Sequence, residues 1–178
     1  MLMNNARLFL LGLWLGAAVL FSAVVAPTSF RVLRGFNLPN AGEIAGTIVS
    51  HTLSVVNLSG FVLSLILMVI AFGLRRNYSR GRLTAQLFLL AIIAITTAVG
   101  EWVIAARMRA LRAAMIVPID QVSLSDPKRV AFAALHGYSV ATLGVAMIAA
   151  LLVCFIVRTR SRTLHEWERT GSGDYRTR

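Results

Sequence analysis

Three long stretches of the chain carry no charge: between Arg7 and Pro27, between Glu43 and Arg75, and between Arg129 and Arg158. A fourth, Leu83 to Ala106, is equally apolar except for Glu101 near its C-terminal end. Each supplies the roughly 20 residues that a helix needs to cross the hydrocarbon core of a bilayer. The pattern predicts an all-α integral membrane protein, a four-helix bundle with spans at about residues 8–27, 44–74, 83–106 and 130–157. These form one transmembrane domain, residues 1–157, followed by a basic tail over 158–178. The first stretch is read as a retained helix rather than a cleaved leader: its apolar run is longer than a signal core, Pro27 would follow a cut at Ala26, and no A-x-A pattern ends there.

Polar residues at the ends of the spans sharpen the boundaries. Asn40 with Glu43 three residues on has the form of a capping box opening the second helix, and Asp126 followed by Pro127 reads as the N-cap and first residue of the fourth. The first and third helices are predicted to project beyond the apolar core as short amphipathic extensions. Phe30 and Leu33 alternate with Arg31 and Arg34 in one; Met108, Leu111 and Met115 alternate with Arg107, Arg109 and Arg112 in the other. The plain reading of both is a helix end lying at the interface, with arginines near lipid phosphates.

One polar phrase occurs twice. "HTLSVVNL" from His51 and "HGYSVATL" from His136 both fit H-x-x-S-V-x-x-L, and each follows a related basic segment, "FRVLR" at Phe30 and "MRALR" at Met108. The chain therefore reads as a possible duplication of one helical hairpin. Both copies would enter from the same side, with any pseudo-two-fold axis along the membrane normal.

Composition and charge fit this reading. Hydrophobic residues make up 57% of the chain, more than the ordinary share of a soluble domain. The net charge of +11 would suggest nucleic acid as a partner for a soluble domain, but these cations sit between and after the spans, so the partner is the lipid bilayer and not nucleic acid. Of the 18 basic residues, the eleven at Arg7, between Arg75 and Arg82, and in the tail from Arg158 share one face. The other seven, Arg31, Arg34, Arg107, Arg109, Arg112, Lys128 and Arg129, share the opposite one. The positive-inside rule then places both termini in the cytoplasm. With Lys128 the only lysine, the arginine-heavy usage suits a GC-rich bacterial genome and so an inner membrane. Cys154 is the only cysteine, which excludes an intrachain disulfide and a cysteine metal cluster.

The candidate chemistry gathers at the non-cytoplasmic end. His51, His136 and Glu101 all fall there, with Ser54 and Ser139 one turn deeper and Asn57 and Thr142 beyond them. Polar residues in spans usually face the bundle interior or a wet cavity, so both imidazoles are expected to point inward. The stripe could join helices by hydrogen bonds, or it could bind or pass a small solute or metal ion. Alternatively, two histidines on separate helices could ligate heme iron, or join Glu101 around a divalent metal, in a redox protein. A scaffolding or assembly subunit would need no pocket. No metalloprotease, CxxC, nucleophile-elbow or phosphate-loop motif is present, so no catalytic residue is named and the chain is not read as an enzyme. Gly12 and Gly16, and again Gly42 and Gly46, have the G-x-x-x-G spacing that lets helices approach closely. They are expected to pack helices within the chain; a homodimer or a membrane-protein partner is the alternative.

The segments "VVAPTSFRVL", "AGEIAG", "ARMRALRAAM" and "DPKRVAFAALHGYS" resemble the transmembrane protein 205-like family, also called domain of unknown function 4149. The resemblance covers roughly residues 10–150, and Asp126, Pro127, Phe132, His136, Gly137 and Ser139 follow the order of its last motif. It implies a four-helix membrane protein that handles small or metal-like solutes. This chain has "EWVIAARM" where the family pattern is W-x-E-P, so the resemblance assigns no role to Glu101.

Overall fold

The computed structural model describes residues 2–75 and 79–171, with side chains over 5–75 and 79–158. No strand occurs among the described residues. The first rod is composite: α1 (Leu2–Leu20), a π-helical turn (Phe21–Val25) and α2 (Ala26–Gly35). The second is α3 (Ala41–Gly73) alone. The third repeats the composite form as α4 (Arg80–Ala98), a π-helical turn (Val99–Ala105) and α5 (Ala106–Ala113). The fourth is α6 (Pro127–Gly171), whose last turns begin the basic tail; residues 172–178 of that tail lie outside the described residues, as do Arg76 and Tyr78.

The rods run up, down, up and down at the corners of a square. α3 packs against both composite rods, and so does α6, which leaves α3 and α6 across the diagonal from each other. The end holding the start of α1, the end of α3 and the start of α4 is the terminal end. The end holding residues 36–40 and the 114–126 connection is the strap end.

Proline explains the first π-turn. Pro27 has no N–H for the carbonyl four residues back, and its ring would collide with that carbonyl in a regular helix; a wider turn just before it absorbs both problems. The third rod has no proline there, yet its π-turn begins at Val99, nine residues before Met108, just as the first begins at Phe21, nine residues before Phe30. The two composite rods thus share a backbone irregularity in the same register, which favours the duplicated hairpin.

The core is a narrow axial stripe. Leu11, Trp14, Ala18 and Phe21 from the first rod meet Val56, Leu67, Leu90, Ile93, Ala146 and Val153 from the others. Many large apolar side chains instead face outward, among them Val55, Val69, Phe88, Ile95 and Ile148. In water that surface would be an aggregation liability; against lipid it is the preferred one. Four helices, within Asn5–Gly35, Ala41–Gly73, Arg80–Ala113 and Pro127–Arg158, are long and apolar enough to cross a bilayer. The chain is a multipass membrane protein.

Several local expectations meet a different geometry. Gly12 and Gly16 are exposed and have no neighbour within 4 Å of the position a Cβ would take, so they pack no helix within the chain. Close approach is instead built at Gly60, where a Cβ would lie 2.6 Å from Cζ2 of Trp14. Asn40 makes no side-chain cap to α3, so the capping box with Glu43 does not form. The Asp126 cap does form: Oδ1 accepts from the Lys128 N–H at 2.7 Å, directly after Pro127.

Candidate functional site: a buried carboxylate beneath a strap

Glu101 sits in the π-turn of the third rod. A π-turn adds a residue to one helical turn, so Thr97, Gly100 and Ile104 are all buried on the face that also presents Glu101. π-turns concentrate at functional sites. The Glu101 side chain is 14% exposed. Its Oε1 accepts from Ser54 Oγ of α3 at 3.0 Å and from Arg109 Nη1 of α5 at 3.5 Å. Arg109 is 58% exposed, so this ion pair is solvent-screened and contributes less than about 1 kcal/mol. The other oxygen, Oε2, is shut away from solvent and has no hydrogen-bond partner among the described residues. Leaving such an acceptor unsatisfied costs roughly 1–3 kcal/mol, more if it is charged.

Further polar and small residues surround this carboxylate. Asn57, one turn along α3 from Ser54, is buried against Gly100, where a Cβ would stand 3.2 Å from the Asn57 Nδ2. Glycine at that point of the π-turn therefore leaves room for the amide. Trp102 stacks edge-to-face on Phe61, ring centroids 5.0 Å apart, and forms an apolar flank.

Beyond this cluster, the third connection folds back as a strap. Arg112 donates from Nη1 to Thr47 Oγ1 at 3.4 Å and stands 5.4 Å over the Phe132 ring, joining α5, α3 and α6. Gly46 makes this possible, since a Cβ there would be 2.7 Å from Arg112 Nη2. Asp120 Oδ2 accepts from the Gly42 N–H at 2.8 Å and takes over the capping that Asn40 does not perform. Lys128 Nζ donates to the Ala114 carbonyl at 2.8 Å, and Arg129 Nη1 donates to the Val122 carbonyl. A shallow cavity of about 330 Å³ opens beside the strap between Arg34, Asn37, Pro39 and Asp120. Gly42 therefore seats the strap side chain Asp120, and Gly46 seats Arg112 of α5.

Of the residues singled out in the sequence, the structure brings Glu101 and Ser54 together and buries Ser139. It separates the histidines from them. His51 and His136 are both exposed on the outside of the bundle, contrary to the expected inward orientation. The reason is angular. Val49 and Val56 mark the buried line of α3, and His51, two residues past Val49, points about 200° around the helix from it. On α6 the inward line runs through Ser139, Leu143 and Ala146. Ser139 of the second copy is buried and half-buried Ser54 of the first reaches Glu101, while both histidines are exposed. With both imidazoles exposed, the two rings do not face a common interior site of one chain. Among the described residues, no group of three or more His, Cys, Asp or Glu side chains is arranged to hold a metal ion.

Sequence reasoning read Arg109 and Arg112 only as interfacial charges, and missed Asp120, Gly60 and Gly100 as contact residues. Their partners lie 8 to 78 residues away in the chain, beyond any local pattern. The usable signal was Glu101 itself, one acid in an otherwise uncharged span.

Comparison with known families agrees with this architecture. The family model described as a domain of unknown function, DUF4149, matches residues 9–116. The chain belongs to this family. The match takes in the first three rods, with Glu101, Ser54 and both composite extensions, and stops before the strap cap Asp120 and the D-P and H-G-x-S segment of α6. No curated protein and no solved structure matches the chain.

Proposed function

We propose that the polar cluster at the strap end binds, and in a larger assembly passes, a small solute that offers hydrogen-bond donors to Glu101. The observation that carries this reading is the buried, unpartnered Oε2 of a carboxylate whose other oxygen is already held by Ser54 and Arg109. A carboxylate oxygen only accepts, so its partner is a donor such as an alkylammonium, a guanidinium or a hydroxyl. A metal ion held by protein ligands alone would call for more acidic or imidazole donors than converge here. The resemblance to transmembrane protein 205-like proteins supports a solute-handling role in the same direction.

A thermal-unfolding titration of the purified protein with methylammonium and with guanidinium at low concentration tests this. The wild-type midpoint is expected to rise with at least one of them, and Glu101→Gln, which keeps the shape but loses the charge, is expected to abolish the rise. The exposed pair serves as a control: His51→Ala with His136→Ala should leave it intact. A wild-type protein indifferent to every donor probe, or a Glu101→Gln protein that still responds, would overturn the reading.

The eleven-to-seven distribution of basic residues supports a cytoplasmic terminal end, with the Glu101 cluster facing the other side. A cysteine at Ser79, which is exposed beside the second connection, is then expected to react with a membrane-impermeant maleimide only in inverted vesicles. Labelling in intact cells would turn the topology over.

A further inference from the structure

We propose a second polar site at the terminal end of the bundle, built on Gln86 with Arg7, that takes a small, singly protonated oxyanion. Gln86 lies two turns into α4 and is 1% exposed. Neither its Nε2 nor its Oε1 has a hydrogen-bond partner among the described residues. Moving an amide from water to apolar surroundings without compensation costs roughly 2–7 kcal/mol, whereas leucine, of nearly the same volume, would cost nothing of the kind. Packing alone therefore gives no reason for glutamine at this position. The fully buried hydroxyls of the core behave differently: Ser64 donates to the Phe61 carbonyl and Thr97 to the Ile93 carbonyl of their own helices.

Arg7 brings positive charge to the same end. It is 3% exposed in α1. Two contacts set the level of the rods: Trp14 lies on Gly60, and Asn57 lies on Gly100. Counting at about 1.5 Å per residue from those contacts puts the Arg7 backbone level with Ser64 to Leu67 and about one to two turns from Gln86. Helical side chains lean toward their own N-terminus, which for Arg7 is the direction of the terminal end. The sign of the field there is set by the whole chain. The acidic residues with described side chains, Glu43, Glu101, Asp120 and Asp126, all stand toward the strap end, whereas Arg7, Arg75, Arg80 and Arg82 stand toward the terminal end.

The donor set selects the ligand. A guanidinium is a planar fork of donors matched to a carboxylate or phosphate edge. The Gln86 Nε2 adds another donor, but its Oε1 needs a donor in return. A fully ionised anion cannot supply one; a singly protonated oxyanion, such as hydrogen carbonate or the hydrogen phosphate dianion, offers acceptor oxygens and one O–H. A protonated phosphomonoester lipid headgroup has the same chemistry. This site is separate from the Glu101 cluster, because Leu11, Leu67, Leu90 and Ile93, each 2% exposed or less, fill the core between them.

Thermal unfolding of the full chain in detergent distinguishes the outcomes, with phosphate, hydrogen carbonate and sulfate as probes near neutral pH. Phosphate or hydrogen carbonate near saturation is expected to raise the midpoint by roughly 5 °C, and sulfate, which carries no proton, is expected to do little. Gln86→Leu should fold with an unchanged or higher midpoint in the absence of anion and lose the shift, while Glu101→Gln keeps it. Arg7→Gln should also lose it, and the Gln86→Leu result stands alone if that variant does not fold. Nanodiscs with and without phosphatidic acid separate the sources: a Gln86-dependent shift from free phosphate identifies a soluble oxyanion, and one seen only with phosphatidic acid identifies a lipid headgroup. An equal response to sulfate, a response that survives Gln86→Leu, or no response to any of these probes would overturn the site.

Discussion

Gly60→Leu is expected to prevent the bundle from closing. Trp14, 6% exposed, donates from Nε1 to the Val56 carbonyl at 3.0 Å and lays its indole where a Gly60 side chain would begin, 2.6 Å from Cζ2 and 2.7 Å from Cε2. The obstacle is a rigid ring in a filled core, not the far end of a flexible chain, so the first rod must leave α3. Overpacking typically costs about 1–3 kcal/mol, and loss of a buried tryptophan's contacts about 3–5 kcal/mol. The expected result is a loss of more than about 3 kcal/mol, read as a collapse of the monodisperse peak in size-exclusion chromatography. Trp14→Ala should cost about 3–5 kcal/mol by itself. The combination should cost clearly less than the sum, because removing the ring makes room for the leucine. A Gly60→Leu protein with the wild-type melting midpoint would show that Trp14 does not hold the first rod.

The second large effect is local. Asp120→Ala is expected to free the strap while leaving the four rods assembled. Its carboxylate bonds the Gly42 N–H at the start of α3, where the helix dipole also favours negative charge. Removing a cap of this kind costs about 1–2 kcal/mol, which converts to roughly a ten-fold rise in the open population of the segment. Hydrogen exchange over residues 114–126 should accelerate by about that factor, with exchange in α4 and α6 unchanged. Gly42→Val should do the same from the other side, since its Cβ would fall on Asp120 Oδ1. Asn at position 120 keeps an acceptor oxygen and should show an intermediate rate. Unchanged exchange in all three proteins would mean that Arg112 and Lys128 hold the strap without Asp120.

The duplicated phrase shows how far a one-dimensional pattern reaches. His51 and His136 are both exposed, and the two π-turns share one register relative to the basic segments. What the phrase could not convey is which of its residues looks inward. A stripe at i and i+3 spans about 60° of helix surface, so one member can lie in the buried arc while the other lies outside it. Reading both as interior made the histidines a site and left Glu101 as an accessory; the packed rods reverse those roles.

Sequence alone determined that the chain crosses the membrane four times as helices, that the first and third helices end in amphipathic arginine segments, that Asp126 and Pro127 start the last helix, and that Glu101 is the one acid within a span. These follow from transfer free energy and local backbone chemistry, which depend on residue type and short-range order. Only the tertiary structure decided that Gly60 and Gly100 make the close contacts while Gly12 and Gly16 face outward, that Asp120 caps a helix 78 residues away, and that a glutamine and an arginine are buried at the terminal end. Those facts depend on the rotation of each rod about its own axis. In a bilayer, lipid and a neighbouring helix are almost equally apolar, so hydrophobicity hardly discriminates one rotation from another; steric fit and a few hydrogen bonds between distant residues set it.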